Sequence, residues 1–182
     1  MPQLQDPGAT AARDLAEEPV AYVDLAAIEH NLAVVKGRLA PGTKVLAAVK
    51  ADAYGHGLVP VARRLERAGV AWFGVATPGE ALALREAGVE AGVLLLGPVR
   101  SPELITRLAD ARVALTLTDH AALERYAAAD LPRPLELQID VDTGMSRLGL
   151  PAAATPALAL AVARHPKLRL GGVWTHFTDS DD

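Results

Sequence analysis

The sequence predicts an α/β fold in which short parallel strands alternate with helices, and the number of units favours a (β/α)8 barrel. Short apolar runs recur from Val45 to Thr175, and a run with helical spacing follows most of them. Predicted helices begin with a proline at Pro78 and at Pro102, and Gly88 lies just past the end of the first of these. Strands that alternate with helices in this way form right-handed βαβ units around a parallel sheet.

The first elements precede the repeating pattern. Residues Val20–Val23 read as a strand. Residues Leu25–Leu39 read as a helix, because the apolar residues recur at a spacing near 3.6. The Pro41-Gly42 pair ends this helix.

The rest of the chain repeats one unit of strand and helix. A serine before a proline, as at Ser101-Pro102, predicts an N-cap followed by the first helical position. The further predicted strands are Val45–Val49, Ala71–Val75, Val93–Leu96, Val113–Leu117, Leu135–Val141 and Gly172–Thr175. The further predicted helices are Leu58–Ala68, Pro78–Ala87, Ser101–Ala109, Asp119–Ala128 and Pro151–Arg164.

This pattern corresponds to about six strands of an eight-stranded barrel, which typically needs about 250 residues. We therefore expect an incomplete barrel over residues 19–182, preceded by a disordered extension over residues 1–18, which is polar and acidic. A doubly wound open sheet is the alternative, and it is complete at this length. No GxGxxG follows a predicted strand, which weakens that alternative.

Composition excludes several classes of function. No apolar run approaches the roughly 20 residues that span a bilayer, so no membrane partner is expected. The net charge of −4 comes from mixed charges without a basic patch, which argues against nucleic-acid binding. The absence of cysteine removes disulfides and thiolate sites and is compatible with the cytoplasm. His30, His120 and His165 have no ligand spacing, so no metal site is expected.

Lys50 follows the apolar strand Val45–Val49 directly. A lysine at the end of a buried strand either reaches out to water or is desolvated to a free amine, which forms a Schiff base with a carbonyl. The segment reads KADAYGHG from Lys50 to Gly57, which places the phenol of Tyr54 and the imidazole of His56 near the amine. This octapeptide resembles the lysine motif of the alanine racemase family, whose members bind pyridoxal phosphate.

A second segment, Asp142 to Gly149, reads DTGMSRLG and is similar to the family motif DTGMGRLG, with Ser146 in place of glycine. The resemblance implies that Arg147 binds the cofactor's phenolic oxygen and helps to orient the substrate. Asp140 stands where many members carry a carbamylated lysine that supports the arginine. Aspartate keeps one negative charge, so we expect it to support Arg147 across a gap that a water or a shift of the arginine fills.

The third segment is Thr175-His176-Phe177, which resembles the THF segment of the same family. The resemblance implies that His176 lies against the cofactor ring and that Tyr54 contacts its phosphate. The three segments occur in family order. The related diaminopimelate and ornithine decarboxylases share the barrel, but their lysine motif lacks the AYGHG that follows here.

The resemblance implies an isomerase that interconverts L- and D-alanine for peptidoglycan, as a cytoplasmic homodimer, with Lys50 as one catalytic base. In the family, the second base is a tyrosine from the partner subunit's C-terminal β-domain, which we expect to be absent from this chain, as are most of the cofactor's other contacts. We therefore expect negligible activity from these 182 residues alone. A non-catalytic remnant and a racemase of another amino acid, such as serine, remain open.

Overall fold

The structure, a computed structural model, describes residues 20–179. The extension expected over residues 1–18 lies outside the described residues. None of the described helices combines the length and the apolar composition that a membrane span requires.

Seven helices and seven strands make up the described part of the chain. The strands are β1 (Leu46–Ala48), β2 (Trp72–Val75), β3 (Gly92–Leu95), β4 (Val113–Leu117), β5 (Leu135–Asp142), β6 (Leu150–Pro151) and β7 (Leu168–Thr175). The helices are α1 (Leu25–Lys36), α2 (Lys50–Gly55), α3 (Leu58–Arg67), α4 (Pro78–Glu86), α5 (Pro102–Asp110), α6 (His120–Ala128) and α7 (Thr155–Arg164), with a 3-10 turn at Ala152–Ala154.

All strand pairs are parallel, as predicted. The strands pair in the order β1, β2, β3, β4, β5 and β7, and the short β6 pairs with the end of β5 on the side that faces β4. One cavity is lined both by Leu46 of β1 and by Trp174 of β7, which are the outer strands of this order. The sheet must therefore curve, so that its first and last strands face one space.

Alternation along the strands separates a helix-facing side from a concave side. In β5, Leu135, Leu137, Ile139 and Val141 belong to the buried core under the helices, and the residues between them point to the opposite face. Complete burial of an aliphatic side chain contributes about 1.5–3 kcal/mol, so this layer is the main source of stability.

The predicted N-cap of α5 is confirmed, and two other helix starts are capped by side chains as well. The hydroxyl of Ser101 accepts a hydrogen bond from the N–H of Leu104, and Asp119 caps α6 in the same way through the N–H of Ala122. Thr77 caps α4 as half of a reciprocal capping box with Glu80. These side chains satisfy backbone donors that a helix start leaves without partners.

Some element limits differ from the predictions. Residues Val20–Val23 form no strand, because no neighbouring strand pairs with them among the described residues. The last strand begins at Leu168 rather than Gly172, since pairing with β5 extends it through a bulge. The helix expected from Pro151 begins as the 3-10 turn, and α7 proper starts at Thr155.

A repeated cationic contact joins neighbouring helices where they end. The ammonium of Lys36 donates to the carbonyls of Ala68 and Gly69, just beyond α3. The guanidinium of Arg63 donates to the carbonyl of Ala87, beyond α4. Cations at helix C-termini stabilise the exposed carbonyls and the negative end of the helix dipole. Each contact therefore fastens one βα unit to the next.

Candidate active site

The residues singled out in the sequence converge on one cavity. Its volume is about 550 Å³, and it lies on the concave face where the strands end. Its lining includes all five of them: Lys50, Tyr54, Asp140, Arg147 and His176. A volume in this range is typical of small-molecule and cofactor sites. Parallel strands bring their C-terminal ends to one edge, so segments nearly 130 residues apart in sequence meet there.

The floor of the cavity is partly apolar. Leu46 and Ala48 of β1 and Leu94 of β3 reach it from neighbouring strands. In β5 the concave positions are polar, and Gln138 and Asp140 line the cavity between the helix-facing leucine and isoleucine positions. The lining of the site therefore combines apolar and polar side chains.

Lys50 is the residue at which the chain leaves β1 and enters an unusual turn. The four residues Ala51–Tyr54 all have φ between 52° and 55° and ψ between 39° and 51°, which is one turn of left-handed helix. Each non-glycine residue in this region costs roughly 1–2 kcal/mol. Four in succession persist only because surrounding contacts hold them.

Hydrogen bonds supply those contacts. The N–H of Ala53 donates to the carbonyl of Val49 at 2.9 Å, which closes the turn. The carboxylate of Asp52 accepts from the N–H of Leu58 at 2.7 Å and so caps α3. The Nδ1 atom of His56 lies 3.0 Å from the carbonyl of Ala53 and 3.1 Å from that of Tyr54, so it donates to the turn. His56 thus braces the backbone of the lysine segment.

Arg147 lies on an exposed loop that the Asp142 side chain organises. One carboxylate oxygen accepts from the N–H of Gly144 at 3.0 Å and from that of Ser146 at 2.9 Å. These two bonds lower the pKa of Asp142, so the carboxylate stays ionised. Ser146, which replaces the family's glycine, has φ of 52°, a left-handed conformation that glycine adopts more readily.

Gly149 brings this loop back onto β5. At its φ of +91°, an added Cβ would lie 2.8 Å from the Asp140 carbonyl oxygen and 2.9 Å from the Asp142 nitrogen. We expect Gly149→Ala to lower the free energy of unfolding by about 2–3 kcal/mol, because strain and a backbone clash act together. Urea denaturation measures the difference.

Gly88→Ala is the matched control for this prediction. Gly88 also has positive φ, +77°, but nothing lies within 4 Å of an added Cβ. This variant keeps the backbone strain and removes the clash, so it is expected to cost about 1 kcal/mol. Equal losses in the two variants would show that Gly149 has no close-packing role.

Asp140 is buried, and burial raises the pKa of its carboxyl group above the ordinary value. The charges of Arg147 and His176 oppose this rise, whereas Asp142 adds to it. None of the three ion pairs of the described residues joins Asp140 to Arg147. The two groups therefore interact through space without a direct ion pair.

The raised pKa of Asp140 predicts how the stability of the fold changes with pH. The folded state retains the Asp140 proton where the unfolded state has released it, so ionisation destabilises the fold as pH rises above about 4. Asp140→Asn removes this cost. The stability of the variant relative to the parent is therefore expected to increase from about pH 4 towards neutral pH in urea denaturation.

Asp142→Asn provides a control of opposite sign. The pKa of Asp142 is lowered, so its ionised form stabilises the fold above the ordinary aspartate pKa, and that contribution is lost as pH falls. This variant should be less stable than the parent at neutral pH. A constant difference between Asp140→Asn and the parent across the range would contradict the assignment for Asp140.

His176 lies beyond the end of β7, where a threonine pair fixes the neighbouring backbone. The hydroxyl of Thr175 donates to the carbonyl of Val141 at 2.7 Å, and it accepts from the Thr143 hydroxyl, also at 2.7 Å. These bonds fasten the His176 strand end to the Arg147 loop. The described residues contain no cluster of three or more histidine, aspartate or glutamate side chains that could hold a metal ion.

Three contributors to the site were missed from the sequence. Gln138 and Trp174 line the cavity. Each lies two residues before a predicted site residue, Asp140 and His176, so the alternation of side chains along a strand was a signal that could have found them. Glu80 contacts the lysine turn from α4, and its spacing from the preceding threonine is typical of a capping box and gives no sign of that contact.

Comparisons with known proteins identify the family of this chain. A family model described as alanine racemase, N-terminal domain, matches residues 23–182. Alanine racemase from Synechocystis sp. is 40% identical over 162 residues, covering 88% of this chain and 44% of that protein. The enzyme from Mycolicibacterium smegmatis is 42% identical over 165 residues, with 88% and 42% covered.

Solved structures show the same fold. The crystal structure of alanine racemase from E. faecalis superposes with a TM-score of 0.80 at 34% identity, over 86% of this chain and 43% of that one. The Bacillus anthracis enzyme with bound L-Ala-P gives 0.78 at 35% identity, over 86% and 41%. The predicted fold class, part of a (β/α)8 barrel, is confirmed. The chain spans less than half the length of these relatives. It belongs to the alanine racemase family and matches that family's N-terminal domain.

Proposed function

We propose that the intact protein interconverts L-alanine and D-alanine with pyridoxal phosphate attached through Lys50. The observation that supports this most strongly is the convergence of Lys50, Tyr54, Arg147 and His176 on one cavity in a chain of this family. Family relatives named alanine racemase support the reaction.

The donor set of the cavity fits this cofactor. Lys50 brings an amine, Tyr54 a phenol that is 60% exposed, and Arg147 a guanidinium suited to anionic oxygens. Trp174 also lines the cavity, and its indole Nε1 is buried without a hydrogen-bond partner among the described residues. When bound, pyridoxal phosphate supplies an aldehyde that condenses with amines and a ring that delocalises the negative charge of a deprotonated α-carbon.

Lys50 has two proposed tasks. The Lys50 amine would hold the cofactor through a covalent bond, and, when it is not so bound, it would exchange a proton with one face of the substrate's α-carbon. Its position after β1 supports this, because the strand and the left-handed turn fix its backbone. A fixed backbone restricts the positions that the lysine amine can reach in the cavity.

The other side chains bind and orient. We propose that Arg147 donates hydrogen bonds to the cofactor's phenolic oxygen and orients the substrate, that Tyr54 contacts the phosphate, and that His176 lies against the ring. The negative charge of Asp140 lies near enough to Arg147 to share an electrostatic interaction with it. It therefore supports the arginine in place of the family's carbamylated lysine.

Inversion needs proton transfer on both faces of the α-carbon, hence two acid–base groups. By family resemblance, we propose that the second is a tyrosine from a C-terminal β-domain of a partner subunit, so the active form is a homodimer. The 182-residue chain alone is then expected to have negligible activity. Supply of D-alanine for peptidoglycan in the cytoplasm is proposed on the same ground.

Covalent trapping tests the proposal. Pyridoxal phosphate is mixed with the protein, the visible absorption is recorded, and borohydride fixes the adduct for peptide mass mapping. The chain has only four lysines, Lys36, Lys44, Lys50 and Lys167, so mapping resolves them all. Label concentrated on Lys50 and absent in Lys50→Ala supports the proposal; label spread over the exposed Lys44 and Lys167 contradicts it.

A further inference from the structure

The carboxylate of Glu80 does more than cap a helix. Its Oε2 atom accepts from the N–H groups of Ala76, at 2.9 Å, and Thr77, at 3.0 Å, which completes the capping box of α4. Its Oε1 atom accepts from the N–H of Ala51, at 2.7 Å. One oxygen suffices for the capping box, so the bond to Ala51 needs a separate explanation.

Ala51 is the residue directly after Lys50. The peptide unit that contains the Ala51 N–H is planar and includes the Cα of Lys50. A hydrogen bond to that N–H therefore fixes the orientation of the chain on one side of Lys50. On the other side, the Val49 N–H donates to the carbonyl of Gly74 at 2.9 Å, and the Val49 carbonyl accepts from Ala53. Together these bonds hold the lysine backbone from both directions.

The glutamate also holds the start of the strained turn. Ala51 is the first of the four left-handed residues, and its N–H has Glu80 as partner. Partial burial acts to raise the pKa of Glu80, but hydrogen bonds from Ala76, Thr77 and Ala51 outweigh it and lower the pKa. The carboxylate is thus ionised at neutral pH, and hydrogen bonds to an ionised acceptor are the stronger kind.

We propose that Glu80 is a positioning residue, which holds the Lys50 backbone through the Ala51 N–H so that the lysine amine is presented to the cavity. The inference rests on the proposed function in one respect, namely that Lys50 is the residue that carries the cofactor. Glu80 connects the end of β1 with the end of β2 and the start of α4. The second βα unit thereby sets the geometry of the lysine from the first.

Two variants separate positioning from helix capping. Glu80→Ala removes the bonds to Ala51, Ala76 and Thr77. Thr77→Val keeps the side-chain shape and all three bonds to the carboxylate, but it removes the hydroxyl that accepts from the Glu80 N–H at 3.2 Å. Both weaken the start of α4, and only the first releases Ala51. Glu80→Met, which keeps the side-chain length but has no acceptor oxygen, replaces Glu80→Ala if that variant does not fold.

Two readouts are taken on the full chain. The first is amide hydrogen exchange at Ala51, which needs no cofactor. The second is reductive trapping of pyridoxal phosphate, expressed as the ratio of label on Lys50 to label on the exposed Lys44 in the same molecule. In Glu80→Ala we expect Ala51 exchange to rise and the ratio to fall, each by about tenfold, as befits the loss of one charge-assisted hydrogen bond. In Thr77→Val, the exchange rate of Ala51 and the ratio of label on Lys50 to label on Lys44 should both match those of the parent.

The outcomes separate this inference from the proposed function. If the parent protein shows no preference for Lys50 over Lys44, the proposed function fails, and Ala51 exchange still reports whether Glu80 holds the turn. If the parent prefers Lys50 and Glu80→Ala retains that preference, the positioning role is overturned. A fall of the ratio in Thr77→Val equal to that in Glu80→Ala would also overturn it, because helix capping would then explain the effect.

Discussion

Lys50→Arg is expected to lower the rate of alanine interconversion by the intact protein by at least about 10⁴-fold. Arginine keeps the positive charge and most of the side-chain length, so the fold should not change. Its guanidinium remains protonated and neither condenses with an aldehyde nor accepts a proton from carbon. The measurement is D-alanine formed from L-alanine, and the reverse, resolved by chiral chromatography.

Lys44→Arg is the matched control, since Lys44 lies in the exposed loop before β1 and lines no part of the cavity. It is expected to keep the parent rate. Unfolding curves of both variants should overlay that of the parent. A Lys50→Arg protein within tenfold of the parent rate would mean that another group carries the chemistry, and the proposed function would have to be abandoned.

Arg85→Met is expected to lower the free energy of unfolding by about 3 kcal/mol. The Arg85 guanidinium donates to the carbonyls of Ala111 and Arg112, beyond α5, at 3.0 Å each. It also donates to Val89 at 2.6 Å and Ala91 at 2.8 Å, in the loop before β3. Methionine fills similar space without donors, so four carbonyls lose a charged partner.

Urea denaturation measures this loss, and thermal unfolding should show a decrease in Tm of roughly 6–12 °C. Arg107→Met is the control, because Arg107 is an exposed arginine in the last turn of α5. A surface change of that kind is expected to stay within about 0.5 kcal/mol. Equal losses in the two variants would show that the four carbonyls are satisfied by water when Arg85 is removed.

Much of the fold follows from local patterns. Strand β4 was predicted with the limits it has, Val113–Leu117, because a short apolar run between two helices has few other places to be buried. The starts of α4 and α5 were predicted at Pro78 and Pro102, since a proline after a capping residue specifies the first helical turn. The motif segments were likewise visible as residues with unusual chemistry at strand ends.

Other features depend on neighbours that are distant in sequence. Residues Val20–Val23 have strand propensity, but strand formation needs a partner, and none pairs with them in the described chain. The left-handed turn at Ala51–Tyr54 was not predicted, because alanine, aspartate and tyrosine disfavour that conformation locally. Glu80, 29 positions beyond Ala51, supplies a bond that stabilises it.

The sequence by itself determined the alternation of strands and helices, their caps, the family motifs and the identity of the candidate site residues. These properties depend on residues that lie close together in sequence, so their spacing and side-chain chemistry are enough to predict them. Only the tertiary structure decided that Lys50, Arg147 and His176 face one cavity, that Asp140 is buried beside Arg147 without an ion pair, and that Glu80 holds the lysine turn. Those relations arise from sheet curvature and strand register, which bring distant segments within hydrogen-bonding distance.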